Sequence, residues 1–325
     1  MFSYELSLIF YLCTIVEVSV TGLGCLQNTI GSPTSENAVA KQVSLETHLA
    51  TLNLENTVGG SGLTKLGKKQ VNIHKIGNGP KTAVFVHGLG ASGEYFTPII
   101  KHVGFEDRYT SYVYDLEGHG LTPSNIASVV TLDTFAEDLA NVVDFTGATT
   151  VTVFAHSLGC LIAMAFAARN SSKIDRMILM GPPPCPLPEP GKVAMTKRAA
   201  AVREKGMMGS GTADAVGNAG TSSTTKIYQP VGYAAVRASL LATHPEGYAK
   251  ACMALAGISS SIELEKLTMP ILLMTGDEDK TSPVEVVKTL HEKLPGSHME
   301  VLPCTGHWHV YENADVVNRY IRTFA

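Results

Sequence analysis

Apolar and polar positions are not distributed evenly along this chain. Val71, Ile73 and Ile76 alternate with polar residues and stop at Gly77-Asn78-Gly79-Pro80, the pattern of the second strand of a hairpin. Downstream come short, nearly continuous apolar runs: Ala83-Val84-Phe85-Val86, Ser111-Tyr112-Val113-Tyr114, Val151 to Ala155, Arg176 to Met180, Pro270 to Met274, and Met299 to Leu302. Runs of this kind suit strands buried on both faces of a parallel sheet. Between them the period changes to that of a helix. Phe135, Leu139, Val142 and Val143 share one helical face behind Thr134-x-x-Glu137, which reads as a capping box. Ser282-Pro283-Val284-Glu285 reads as a helix start with serine as the cap, and the last segment carries Val316, Val317, Tyr320 and Phe324 on a terminal helix. Strand and helix in alternation predict an α/β fold, a mostly parallel central sheet flanked by helices.

The alternation is interrupted once. Gly181-Pro182-Pro183-Pro184 ends a strand sharply, and from 185 to about 261 the chain is rich in Ala, Met, Arg, Gly and Ser, with short helical patterns and no strand-like run. This predicts a helical lid inserted over the strand ends. Residues 1–60 read as an N-terminal extension and 61–325 as the folded domain. The extension contains an uncharged, mainly apolar run at 6–16 and a modestly periodic patch from Val39 to Leu54. The apolar run is similar to a signal-peptide core but has no Lys or Arg before Lys41, and acidic Glu5 and Glu17 bracket it, so a cytoplasmic location is favoured over a secreted one. The run is also short for a bilayer, and no stable membrane span is expected.

A chain of 325 residues that is 45% hydrophobic can bury a large core, which makes an enzyme-sized globular domain the starting expectation. With 25 basic against 29 acidic residues and no basic block, nucleic acid is excluded as a partner class. Six scattered cysteines without C-x-x-C suggest neither a zinc site nor a compact disulfide framework. Gly62-x-x-x-x-Gly67-Lys68 falls short of a phosphate-binding loop, because Lys69 stands where a hydroxyl should meet magnesium and no strand precedes it.

The chemistry concentrates where the buried runs end. After Val151 to His156 comes Ser157, flanked by the small residues Ala155 and Gly159, and then an apolar helix. A strand that turns back into a helix at a serine lifts the hydroxyl clear and leaves the Leu158 N–H free at the helix start. This segment resembles the nucleophile elbow of the α/β-hydrolase superfamily, G-x-S-x-G, with Ala155 for the first glycine. His87-Gly88-Leu89 is similar to the family's H-G-x motif, and Asp115 to Thr122 to its D-x-x-G-x-G-x-[ST] loop, read here as structural. The resemblance implies a triad in the order Ser157, Asp279, His307, with the Leu89 and Leu158 N–H groups as oxyanion donors and no cofactor. Asp277 and His309 are the fallback acid and base.

Arg203 to Met207, His244 to Ala249 and Gly306-His307-Trp308 resemble segments of the 3-oxoadipate enol-lactonase group. That resemblance implies a small-molecule ester or lactone bearing a carboxylate, with Arg203, Arg237 and His244 as candidates to pair it. A broad carboxylesterase, a C–C bond hydrolase and a hydrolase-like small-molecule receptor are the alternatives. The sequence does not specify an oligomeric state.

Overall fold

Strands that must bury both faces need helices on both sides, and the chain is built that way. The computed structural model describes residues 62–324 apart from Val103 and Ile126. The apolar run at 6–16 and the patch at 39–54 lie outside the described residues. Eight strands form one sheet: β1 (Gly62–Leu66), β2 (Lys69–Ile76), β3 (Lys81–Val86), β4 (Tyr109–Tyr114), β5 (Val151–His156), β6 (Ile174–Met180), β7 (Ile271–Gly276) and β8 (His298–Leu302), in the order β1-β2-β4-β3-β5-β6-β7-β8. Strands β1 and β2 form an antiparallel hairpin, turning at Gly67-Lys68 where a phosphate loop was considered, and β2 also runs antiparallel to β4. All other pairs are parallel, so the carboxyl ends of β3, β5, β6, β7 and β8 open along one edge.

Alternate side chains along the parallel strands feed two cores. On one face Val84, Val86, Val153, Ala155, Met177, Leu179, Ile271 and Leu273 pack beneath the helices α1 (Leu132–Thr146) and α2 (Leu158–Arg169). On the other, Phe85, Phe154, Ile178, Met180, Leu272 and Met274 meet residues of the terminal helix, and Phe85 stacks on Phe154 at 4.7 Å. Helix α2 is apolar all round because every residue from Leu158 to Ala167 is buried.

Two helix starts differ from expectation. Helix α1 begins at Leu132 with Thr131 as its cap; Thr134 is the third helical residue, and the two threonines bond each other's backbone N–H reciprocally. The box is thus Thr131-x-x-Thr134, one turn earlier than Thr134-x-x-Glu137, because Thr131 has extended backbone and Thr134 is already helical. Ser282 does not cap the helix Val284–Glu292, because Pro283 stands at the cap position; the Ser282 hydroxyl donates to Gly181 O at 2.8 Å.

Between β6 and β7 the chain forms five α-helices, α3 (Glu189–Gly209), α4 (Thr212–Gly220), α5 (Ser223–Tyr228), α6 (Pro230–Ala242) and α7 (Pro245–Ala256), and one short 3-10 turn at Leu264–Lys266. After these come α8 (Val284–Glu292) and α9 (His309–Phe324). Helix α7 meets the loop after β4 so closely that a Cβ on Gly247 would lie 2.3 Å from Gly118 O. Among the described residues no helix is long and apolar enough to cross a membrane.

Candidate active site

The turn from β5 into α2 passes directly through Ser157. Ser157 takes φ 52° and ψ −119°, a conformation that L-residues rarely adopt, and its N–H donates to Met180 O at 2.9 Å. Two small residues permit it. A Cβ on Gly159 would lie 2.1 Å from Val86 O, so α2 reaches the end of β3 only because that position is glycine. A Cβ on Gly88 would come within 2.9 Å of both Ser157 Cβ and His156 Nδ1, so the loop after β3 rests directly on the elbow.

Facing the serine is the loop after β8. Ser157 Oγ lies 2.8 Å from His307 Nε2, and His307 Nδ1 lies 2.8 Å from Asp279 Oδ2. These contacts set the tautomer: Nδ1–H donates to the carboxylate, and Nε2 accepts from the hydroxyl. The other carboxylate oxygen, Asp279 Oδ1, accepts the N–H groups of Thr281 and Ser282, each at 2.8 Å. All three residues are enclosed, with 9% of Ser157, 6% of His307 and 4% of Asp279 exposed. Burial alone would raise the Asp279 pKa, but His307 beside it, the bond to His307, His309 and the Ser282 N–H together hold it below its usual value. His156, preceding the serine, donates from Nε2 to His307 O at 2.8 Å; burial, then His307 and His309, keep its pKa well below the ordinary histidine value.

Leu158 opens α2, so its N–H has no partner within the helix, and the Leu89 N–H meets no acceptor among the described residues. Both belong to backbone that adjoins Ser157. Asp277, the fallback acid, instead accepts from Thr305 N at 3.1 Å. His309, the fallback base, lies against Asp279, its Nε2 3.5 Å from Oδ2.

The structure does not bring Arg203, Arg237 and His244 into this cluster. Arg203 makes two bonds to Glu246, at 2.8 and 2.9 Å; Arg237 bonds Asp214 at 2.6 Å; and His244 Nδ1 caps α7 by accepting from Gly247 N at 3.4 Å. One residue absent from the sequence reading is central. The buried Glu312 accepts from Ser222 N at 2.7 Å, Gly306 N at 3.0 Å and Trp308 N at 2.9 Å, tying the inserted helices to the loop that carries His307. His307 N adds a bond to Gly220 O at 2.6 Å. The signal for Glu312 was its place in the first turn of α9, where a carboxylate meets unpaired N–H groups.

A strand-ordered sheet with a strained serine, a histidine and an aspartate on its carboxyl edge defines a hydrolase of the α/β type. The family model described as "alpha/beta hydrolase fold" matches residues 82–314, and the chain belongs to that family and is an enzyme of that fold. It is 24% identical over 237 residues to the "Putative carbamate hydrolase RutD" of Shigella flexneri, a match covering 69% of this chain and 83% of that protein. Among solved structures it is similar to an esterase from Thermogutta terrifontis (24% identity, TM-score 0.74, 81% of this chain and 96% of that one). It is likewise similar to the enol-lactonase from Burkholderia xenovorans LB400 (21% identity, TM-score 0.72, 81% and 98%). These structural likenesses concern the fold.

Proposed function

We propose that the chain is a serine hydrolase that cleaves a carboxylic ester or lactone through an acyl-enzyme intermediate. One observation carries the reading: the unbroken relay from Ser157 Oγ through His307 to Asp279, with 2.8 Å at each step. His307 Nε2 takes the Ser157 proton as Oγ attacks the acyl carbon, and Asp279 supports the imidazolium that forms. The Leu89 and Leu158 N–H groups receive the developing oxyanion. The imidazolium then protonates the leaving alkoxide, which in a lactone stays attached to the acyl group. Water, deprotonated by His307, releases the acid. The five inserted helices act as the lid over this edge.

Enol-lactones and simple esters are both within the reading, since proteins of the same fold are named for each. Arg203 and Arg237 already pair with Glu246 and Asp214, which favours a neutral acyl group over one that needs its own carboxylate paired. The test is steady-state hydrolysis of p-nitrophenyl esters and unsaturated lactones by the native chain beside Ser157→Ala. Repeated turnover that falls by at least about a thousandfold in the variant is expected. Near-native turnover by Ser157→Ala would overturn the mechanism, and a single acylation without turnover would favour a receptor.

A further inference from the structure

His309 opens helix α9 with its ring fully enclosed, and neither ring nitrogen has a hydrogen-bond partner among the described residues. A buried polar ring left so is costly, and its direction is informative. Nε2 lies 3.5 Å from Asp279 Oδ2, the same oxygen that takes the His307 Nδ1–H bond at 2.8 Å. The other oxygen is already committed to Thr281 N and Ser282 N. One carboxylate oxygen thus faces two imidazoles.

The ring has little freedom to turn away. A Cβ on Gly181 would touch His309 Cε1 at 2.7 Å and His307 Cε1 at 3.1 Å, and the rings of His156 and His307 stand 5.7 and 5.9 Å off, edge to face. The titratable groups around this cluster are accounted for. From β5, His156 is held neutral by burial. From the loop after β7, Asp277 binds Thr305 N and Glu278 binds Ser223 N. On α9 itself Glu312 is spent on backbone N–H groups, and ahead of β4 the Tyr95 hydroxyl accepts from Val310 N. Burial, against the pull of Asp279, brings the His309 pKa down to about 4, so the ring is neutral at ordinary pH. A neutral ring facing an anion puts its proton on that side, and Nε2 is the donor.

We propose that His309 is a positioning residue for the triad: its Nε2–H shares Asp279 Oδ2 with His307, fixing the carboxylate and tempering its pull on the His307 proton. The proposal rests on the triad reading above. An unshared carboxylate would stabilise the His307 imidazolium more and keep the base protonated to higher pH. The shared one leaves His307 free to accept the serine proton further into the acid range.

The test is an imidazole ¹⁵N NMR titration of His307 in the full chain carrying Ser157→Ala, with His309 native, His309→Gln or His309→Phe. Gln can set an amide N–H where Nε2 lies, whereas Phe keeps the ring shape without the donor. We expect native and Gln to titrate together, and Phe to bind the His307 proton about three- to tenfold more tightly. With Ser157 restored, the acid limb of kcat/KM for p-nitrophenyl acetate should move up in pH with Phe and stay in place with Gln, with KM unchanged in both. An unmoved His307 midpoint in the Phe variant would overturn the proposal, as would a Gln variant that shifts, which decides the matter even where Phe does not fold. The titration needs no turnover, so failure of the hydrolase reading and failure of this coupling are separately visible.

Discussion

Replacing Gly159 by alanine would place a methyl carbon 2.1 Å from Val86 O and 2.8 Å from His87 O. Side-chain carbons essentially never approach other atoms closer than 3.0 Å, so α2 and the end of β3 must separate by at least about 0.9 Å. Neither yields easily. Strand β3 is hydrogen-bonded on both sides, to β4 and β5, and α2 is buried all round. Because the obstacle is backbone, the cost belongs at the upper end of overpacking, about 3 kcal/mol. Alanine's better helix propensity returns about 1 kcal/mol, leaving a net loss of about 2 kcal/mol. The catalytic effect should be larger. His87 leads directly into Gly88 and Leu89, so a shift near 1 Å displaces a candidate oxyanion donor, and misplacement on that scale costs about a hundredfold in rate. The assays are urea unfolding followed by circular dichroism, and kcat/KM on p-nitrophenyl acetate. A variant within about 0.5 kcal/mol of native stability and within about threefold of native kcat/KM would refute the reasoning.

Ser157→Gly and Ser157→Ala should both lack activity, but glycine accepts φ 52° without strain, so the Gly variant should unfold about 1 kcal/mol later than the Ala variant; the reverse order in thermal melts would remove strain from the elbow. Stability should fall on acidification from pH 7.5 to 5.5. Burial depresses the pKa of His119 to about 3 and of His309 to about 4, and lowers those of His87 and His156, whereas unfolded histidines take up protons below about 6.5. The unfolded state therefore binds more protons across that window, His119 and His309 each removing about 1 kcal/mol, and equal urea midpoints at the two pH values would contradict this. Glu312→Ala leaves three enclosed N–H groups without an acceptor and should cost at least about 3 kcal/mol, with Glu312→Gln costing less because one carbonyl oxygen remains; a loss below about 1 kcal/mol for Ala would argue against the anchor.

The strand ends were legible because a strand buried on both faces leaves a continuous apolar run. Whatever follows Ala83–Val86, Val151–His156 and Ile271–Gly276 must emerge at one edge; the turn at Ser157 is legible there from the residues alone, whereas Leu89 and Asp279 are singled out by resemblance to the α/β-hydrolase motifs. Competition between equivalent local choices was not legible. Thr131 and Thr134 can each cap a helix, and only the backbone turn decides between them. Ser282 falls one residue outside the cap, which is Pro283, and its hydroxyl donates to the carbonyl of Gly181, distant in sequence. The pairing of the insertion's cations was hidden for a related reason. Arg203 and Arg237 look available in a sequence, and their partners Glu246 and Asp214 become visible only once helices α3 to α7 are packed. His309 was noticed as a neighbour of His307, but its position against Asp279 follows from the start of α9.

Glu312 also bears on how this edge of the molecule opens. When its side chain leaves its seat, the amides of Ser222, Gly306 and Trp308 lose their acceptor at once, although they belong to two segments far apart in the chain. In deuterated solvent these three amide protons should therefore exchange through a common opening, with matched protection that a change at Glu312 removes together. The inserted helices and the loop bearing His307 should therefore open as one unit, so that excursions which uncover Ser157 also displace the histidine bonded to it.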